Sequence, residues 1–307
     1  IQSNQDNLSP GVTIGRDGKV PVEPNFVKKK YKDMLTQYEM TEIDYYTDVY
    51  FVGNSISKKI TDGSFDDEKT FQYKAKIGDH LAYRYEILSI IGKGVFGTIF
   101  KCIDHKTKQK VAIKVLTNTP LMHQQGKIEI ENLKLLSCSS SPTSANAQKQ
   151  VKQSPISKRS SSVEVIPKDS INANKKIDEE TTNSNLKHVI KIIDNFFFRY
   201  HICIVTEILG ESLRDFMIKN AKSKLKLHQE NQNVDPNTKR PYQIEPLPAQ
   251  MVKLIAYQII EGLASIHKKK IIHGDLKPEN ILFTNESTSK SPDECNKKTA
   301  KNNCPII

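Results

Sequence analysis

Ile271-Ile272-His273-Gly274-Asp275-Leu276-Lys277-Pro278-Glu279-Asn280-Ile281-Leu282-Phe283 is the stretch on which the reading of this chain turns. An acid, a lysine and an asparagine stand within six residues of one another, between two apolar runs. Just before it, residues 248–267 read as a helix. Val252, Ile255, Ala256, Ile259, Leu263 and Ile266 fall at i, i+3, i+4, i+7, i+11 and i+14, which makes one apolar stripe.

Working outward, Gly92-Lys93-Gly94-Val95-Phe96-Gly97 lies between two predicted strands, 85–91 and 98–104. Gly92, Gly94 and Gly97 let a backbone turn close over a polyphosphate, with free N–H groups toward its oxygens. Ile91 and Ile99 flank the turn and would sandwich an adenine ring. Alone, this pattern also fits a dinucleotide loop or a plain tight turn. The dinucleotide reading needs a helix next, and a strand follows instead. One predicted strand later (110–116) stands Val111-Ala112-Ile113-Lys114. Alternation puts Ala112 and Lys114 on one side: the alanine leaves room for adenine, and the lysine offsets phosphate charge. A surface lysine at a strand end is the alternative. The predicted helix 123–136 carries Glu129, with Leu133 and Leu136 four and seven residues on, so Glu129 faces inward as a partner for Lys114. Glu131 projects elsewhere, and an ordinary surface acid is the alternative for Glu129.

With these motifs in this order, the opening stretch acquires chemical roles. Asp275 would orient an acceptor hydroxyl and take its proton. Lys277 would stabilise charge on a transferring phosphoryl group, and Asn280 would hold a magnesium ion. Chance does not assemble all four motifs in sequence behind the right helix.

Bulk properties exclude several classes. The 307 residues are 37% hydrophobic, with mean hydropathy −0.53, so part of the chain is expected to stay unpacked. No apolar run is long enough to span a bilayer, and no signal peptide is evident. The five scattered cysteines form no Cys-x-x-Cys pair, so neither a zinc site nor a disulfide framework is expected. That fits an intracellular setting, cytoplasmic or nuclear. The net charge of +11 raises a nucleic-acid partner, but the lysines lie in polar stretches without interleaved aromatics, which reads as solvated loop.

The chain from Tyr83 to Phe283, apart from two insertions, resembles the protein kinase superfamily. The Asp-Leu-Lys-Pro-Glu-Asn string is similar to a serine/threonine kinase catalytic loop. Gly78-Asp79-His80-Leu81-Ala82-Tyr83-Arg84-Tyr85-Glu86 resembles the DH box of dual-specificity tyrosine-regulated kinases, the DYRK family. Asp104-His105-Lys106-Thr107, His188-Val189-Ile190 and the run from Asn195 to Cys203 resemble the same family. Leu35-Thr36-Gln37-Tyr38-Glu39, Glu42-Ile43 and Val49-Tyr50-Phe51-Val52-Gly53 resemble the accessory region of its class II members.

The resemblance implies an α+β, bilobal kinase fold: a complete small β-rich lobe with its αC helix and the start of the helical lobe. It implies ATP and Mg2+, protein Ser/Thr substrates, and self-phosphorylation of an activation-loop tyrosine assisted by the accessory region. Thr206 becomes the gatekeeper, opening a back pocket, and Glu207 to Leu209 the hinge that bonds adenine. Thr206 also fits as a β-former in a core strand. The expected divisions are a flexible tail at 1–30, the accessory region with its DH-box-like segment at 31–82, the small lobe and hinge at 83–209 and the partial large lobe at 210–307. Polar insertions are expected at 137–186, where disorder is expected, and at 221–247 and 284–303. Within the accessory region, residues 32–39 read as a helix, 48–53 as a short strand and 61–68 as an acidic loop.

Two departures stand out. Gly274 occupies the place where most kinases carry Arg and this family Cys, so control through an Arg–phosphate contact is not expected. No Asp-Phe-Gly follows Phe283; Cys304-Pro305-Ile306-Ile307 starts a run of the kind that leads into that motif in relatives. The expectation is a chain cut just before it, with phosphoryl transfer by these residues alone severely impaired. The alternative is a natural truncated pseudokinase, acting as a nucleotide-binding or scaffold protein.

Overall fold

The computed structural model describes residues 20–53, 59–137, 186–221, 246–284 and 305–306. The first nineteen residues and nearly all of the three polar insertions lie outside the described residues. The described residues begin with two α-helices: α1 (Pro24–Lys30), with proline in its first turn, and α2 (Gln37–Glu42). Then come β1 (His80–Leu81), β2 (Tyr85–Gly94), β3 (Gly97–Asp104), β4 (Lys110–Leu116), α3 (Pro120–Ser137), β5 (Ile192–Phe198) and β6 (His201–Glu207). The larger lobe begins with α4 (residues 213–221) and α5 (Ala249–Lys268), followed by β7 (Leu282–Phe283) and β8 (Pro305–Ile306).

The six strands of the small lobe form one antiparallel sheet in the order β1-β2-β3-β4-β6-β5. Its buried face holds Ile87, Phe100, Cys102, Val111, Ile113, Cys203 and Val205. Burial pushes the thiols of Cys102 and Cys203 up, and both are free. Helix α3 lies on the sheet through Met122, Ile130 and Leu133, against Leu116, Ile202 and Ile204. Gly126 sets the approach, since a Cβ there would stand 2.4 Å from the Leu116 side chain. The end of α3 meets the larger lobe, where Leu136 packs with Val189 and with Ile266 of α5.

Several expectations need correction. The tail does not run to residue 30: Pro24–Lys30 is helical, Val27 is fully buried, and Val22 bridges Val49. The helix expected at 32–39 is a 3-10 turn, Lys32–Met34, then extended Leu35, then α2. Thr36 makes the break, because it caps α2: the Glu39 N–H donates to Thr36 Oγ1 at 3.2 Å, and the Thr36 N–H donates to Glu39 Oε2 at 2.9 Å. The strand expected at 48–53 is a single bridge at Val49 followed by buried Phe51 and Val52 outside any strand. Strand β5 begins at Ile192, after a turn in which His188 has φ 60°.

The stripe on α5 is also rotated. Ile255 and Ile266 are buried, with Gln258 and Gly262 on the same face, while Val252 is 49% exposed. The buried side is the one that α4 and β7 cover, through Leu213, Phe216 and Phe283. Among the described residues no helix is long and apolar enough to cross a membrane.

Candidate active site

The turn between β2 and β3 is tighter than the six residues of the motif. Gly94 pairs directly with Gly97, so only Val95 and Phe96 bridge the strands. The three glycines have different causes. A Cβ on Gly97, at φ +150°, would stand 2.2 Å from the Val115 carbonyl oxygen, so β4 forbids a side chain there. A Cβ on Gly94 would meet nothing in the protein within 4 Å. The clash at Gly97 is with backbone and cannot be relieved by a rotamer. Gly97→Ala is therefore expected to lift the loop off β4 and destabilise the protein by about 1–3 kcal/mol. Chemical denaturation reads this; an unchanged midpoint would show that β4 gives way freely.

The β3–β4 register sets Ile99 opposite Lys114, and the β2–β3 register sets it opposite Gly92. Ile91 is half exposed beside a bulge in β2. Ala112 of β4 pairs with Thr206 of β6, and Lys114 with Ile204. From β4, Lys114 Nζ reaches Glu129 of α3, at 2.7 Å to Oε1 and 2.9 Å to Oε2. Glu131 is exposed, as its helix position predicts. Glu207 spends its carboxylate locally, accepting the Lys191 N–H at 3.0 Å. Leu209 is half-buried in the link beyond β6. That link runs beside the end of the 271–283 stretch. Gly210 N–H donates to the Phe283 carbonyl at 2.7 Å and Leu213 N–H to the Ile281 carbonyl at 2.8 Å.

The second cluster is built by the loop before β7. Asn280 Nδ2 donates to the Asp275 carbonyl at 2.8 Å and to Asp275 Oδ2 at 2.9 Å. Lys277 Nζ stands 2.7 Å from the same oxygen. The Lys277 hydrogen bond, more than that from Asn280, holds the Asp275 carboxyl below the usual carboxylate range, so it is an anion at neutral pH. Gly274, at φ +76°, precedes it in a conformation that side chains adopt with strain. The Asn280 amide nitrogen is engaged by Asp275, which leaves its oxygen as the hard donor that suits Mg2+. The Lys114–Glu129 pair and the Asp275 cluster share no hydrogen bond or ion pair among the described residues.

Some of the most connected side chains lie outside every expected motif role. Glu39 Oε2 accepts from Lys59 at 2.8 Å, and Oε1 takes His80 Nε2 at 2.8 Å and Arg199 at 3.3 Å. Arg199 also meets Glu42 at 2.9 Å and the Tyr73 hydroxyl at 3.2 Å, with its guanidinium 4.0 Å from the Phe65 ring. Burial alone would raise the Glu39 carboxyl, but the bonds and charges of His80 and Lys59 outweigh it and hold it far below its ordinary range. Glu39, Asp79 and His80 have metal-ligand spacing. With Lys59 and Arg199 on the Glu39 oxygens, the cluster is an ion-pair network instead. The sequence signal was the capping box Thr36-x-x-Glu39, which fixes where Glu39 points.

The DH-box-like segment is fastened to the rest of the sheet by Arg84. It grips Asp104 at 2.8 and 2.7 Å with two nitrogens and Asp194 at 2.8 Å with a third. Asp104 in turn caps the 104–107 turn through Lys106 N–H and Thr107 Oγ1, both at 2.9 Å.

Residues 138–293 match the family described as protein kinase domain. Across 95% of the chain, the sequence is 31% identical to dual specificity tyrosine-phosphorylation-regulated kinase 3 of Homo sapiens, covering 38% of that protein. It is 30% identical to dual specificity tyrosine-phosphorylation-regulated kinase 4 of Homo sapiens over 83% of the chain and 38% of that protein. The DYRK-family kinase pom1 of Schizosaccharomyces pombe is 30% identical over 81% of the chain and 18% of its own length. The chain thus spans less than half the length of these curated relatives. A curled antiparallel small lobe, a lysine–glutamate pair between sheet and helix, and an Asp-x-Lys-x-x-Asn loop at the start of a helical lobe agree with those matches: the chain belongs to the protein kinase family, as a DYRK-like member with the bilobal α+β kinase fold.

Proposed function

We propose that the protein carrying this chain transfers the γ-phosphoryl group of ATP to serine and threonine hydroxyls of proteins, and to a tyrosine of its own. One observation carries the reading: Lys277 and Asn280 converge on one carboxylate oxygen of Asp275, Oδ2, which leaves Asp275 Oδ1 for an acceptor hydroxyl. Asp275 orients that hydroxyl and takes its proton as the bond to phosphorus forms. Lys277 neutralises charge beside the transferring group. Lys114, held by Glu129, meets the nucleotide phosphates, and the glycine-rich turn covers them. Ile91, Ile99, Ala112 and Thr206 frame the adenine, with the backbone of Glu207 to Leu209 as its hydrogen-bonding edge. Mg2+ would take the Asn280 oxygen as one ligand, and when bound it offsets charge on the phosphates. An intracellular setting is part of the same proposal.

Lys114→Met in the natural full-length protein tests this. The substitution removes the phosphate-facing cation and keeps the apolar stem. Transfer of labelled phosphate to a generic basic protein is expected to fall about 10²–10³-fold with the melting temperature little changed. Full transfer by Lys114→Met would refute the assignment. Nucleotide binding by the unsubstituted protein, without transfer to any protein, would favour a scaffold that holds nucleotide without chemistry.

A further inference from the structure

The turn at residues 65–73, far from the glycine motif in sequence, touches the phosphate-covering loop directly. Gln72 Nε2 donates to the Gly94 carbonyl at 2.8 Å. The carbonyl accepts only, so the orientation of the Gln72 amide is fixed by this bond. Its Oε1 is buried without a partner among the described residues.

The turn that presents Gln72 is densely hydrogen-bonded. Asp67 Oδ1 accepts the N–H of Thr70 at 2.8 Å, the N–H of Lys69 at 3.1 Å and the Thr70 hydroxyl at 2.8 Å. Asp66 pairs with Tyr73, and the Lys74 N–H donates to the Phe65 carbonyl at 2.7 Å. The same turn is bolted to the segment between β4 and α3. Asn118 N–H donates to the Phe71 carbonyl at 2.8 Å, and Asn118 Nδ2 to Asp66 Oδ2 at 2.7 Å. That segment holds the loop tip from the other side, since Thr117 N–H donates to the Phe96 carbonyl at 3.1 Å. Asp66 Oδ1 lies 2.7 Å from His201 Nε2, whose ring Nδ1 lies 2.6 Å from the Leu116 carbonyl.

We propose that this accessory turn is a clamp on the nucleotide site, and that Gln72 is the positioning residue through which it sets the height of the glycine-rich loop over the phosphates. The proposal rests on the reading of that loop as the ATP cover. The clamp reaches both halves of the phosphate grip: the loop through Gln72, and the start of α3, which carries Glu129, through Asn118.

The test is Gln72→Met in the natural full-length protein. Methionine keeps the length of the side chain and adds no charge near the phosphates, but has no N–H to donate. The KM for ATP is expected to rise about three- to tenfold, the fold-change of one lost hydrogen bond, with kcat within twofold and the melting temperature unchanged. Amide exchange at residues 93–98 of the nucleotide-free protein should accelerate by a similar factor, with exchange in β6 unaltered. Unchanged KM and exchange overturn the clamp alone, and so does a lower melting temperature without a KM change, which would make Gln72 merely structural. If the unsubstituted protein binds no ATP, the functional reading and the clamp fall together.

Discussion

Asp275→Asn is expected to lower kcat for phosphate transfer by about 10²–10⁴-fold, the range for loss of a positioned general base. Asparagine still offers an oxygen to the Asn280 amide, so the loop keeps its shape. What goes is the anion that takes the proton. The KM for ATP should stay within about twofold, because the proposed partner of Asp275 is the acceptor hydroxyl and not the nucleotide. The Lys277 bond holds the carboxyl below its usual range, so no loss of activity attributable to Asp275 should appear between pH 5 and 8. Steady-state kinetics on the full-length protein decide the matter. A variant with full kcat would remove Asp275 from the chemistry.

Glu39→Gln is expected to cost about 3–5 kcal/mol of stability, the loss seen when one partner of a buried ion pair is removed. Glu39 and Lys59 are each 1% exposed at the side chain, and Arg199 is 2% exposed. Removing the carboxylate leaves Lys59 short of its anion and takes one of the two acidic side chains that pair with Arg199, leaving Glu42. The sign with pH follows from the lowered carboxyl. Stability from Glu39 is fully present above the ordinary glutamate value of about 4.3 and is lost as pH falls from there toward the folded value. Urea denaturation as a function of pH should therefore show a steeper acid loss in the unsubstituted protein than in Glu39→Gln. Equal slopes would mean that the network contributes no linkage.

The site was legible where short-range pattern decides geometry. Alternation in β4 placed Lys114, helical spacing in α3 placed Glu129, and the two meet at 2.7 Å. The strands around the glycine turn and the long helix α5 were legible for the same reason. The accessory region was less so. Its 3-10 turns and isolated bridges are held by side chains distant in sequence, and no local period reports them. Arg199 reaches Glu42 across 157 positions, and Gln72 reaches Gly94 across 22. The rotation of the α5 stripe had another cause: periodicity shows that a face is apolar, but what packs on it decides which part is covered.

The Arg199–Tyr200 turn holds both residues at positive φ, 45° and 66°, and aims the guanidinium at a region some 157 residues upstream. A ribosome adds about 5–20 residues per second, so the accessory region waits about 8–30 s between its own emergence and the arrival of its cation. During that interval Glu39 has Lys59 and, slightly later, His80, but β5 and β6 do not yet exist. This segment, made before the sheet, is therefore locked only after it, and its completion reports that the small lobe's sheet has closed.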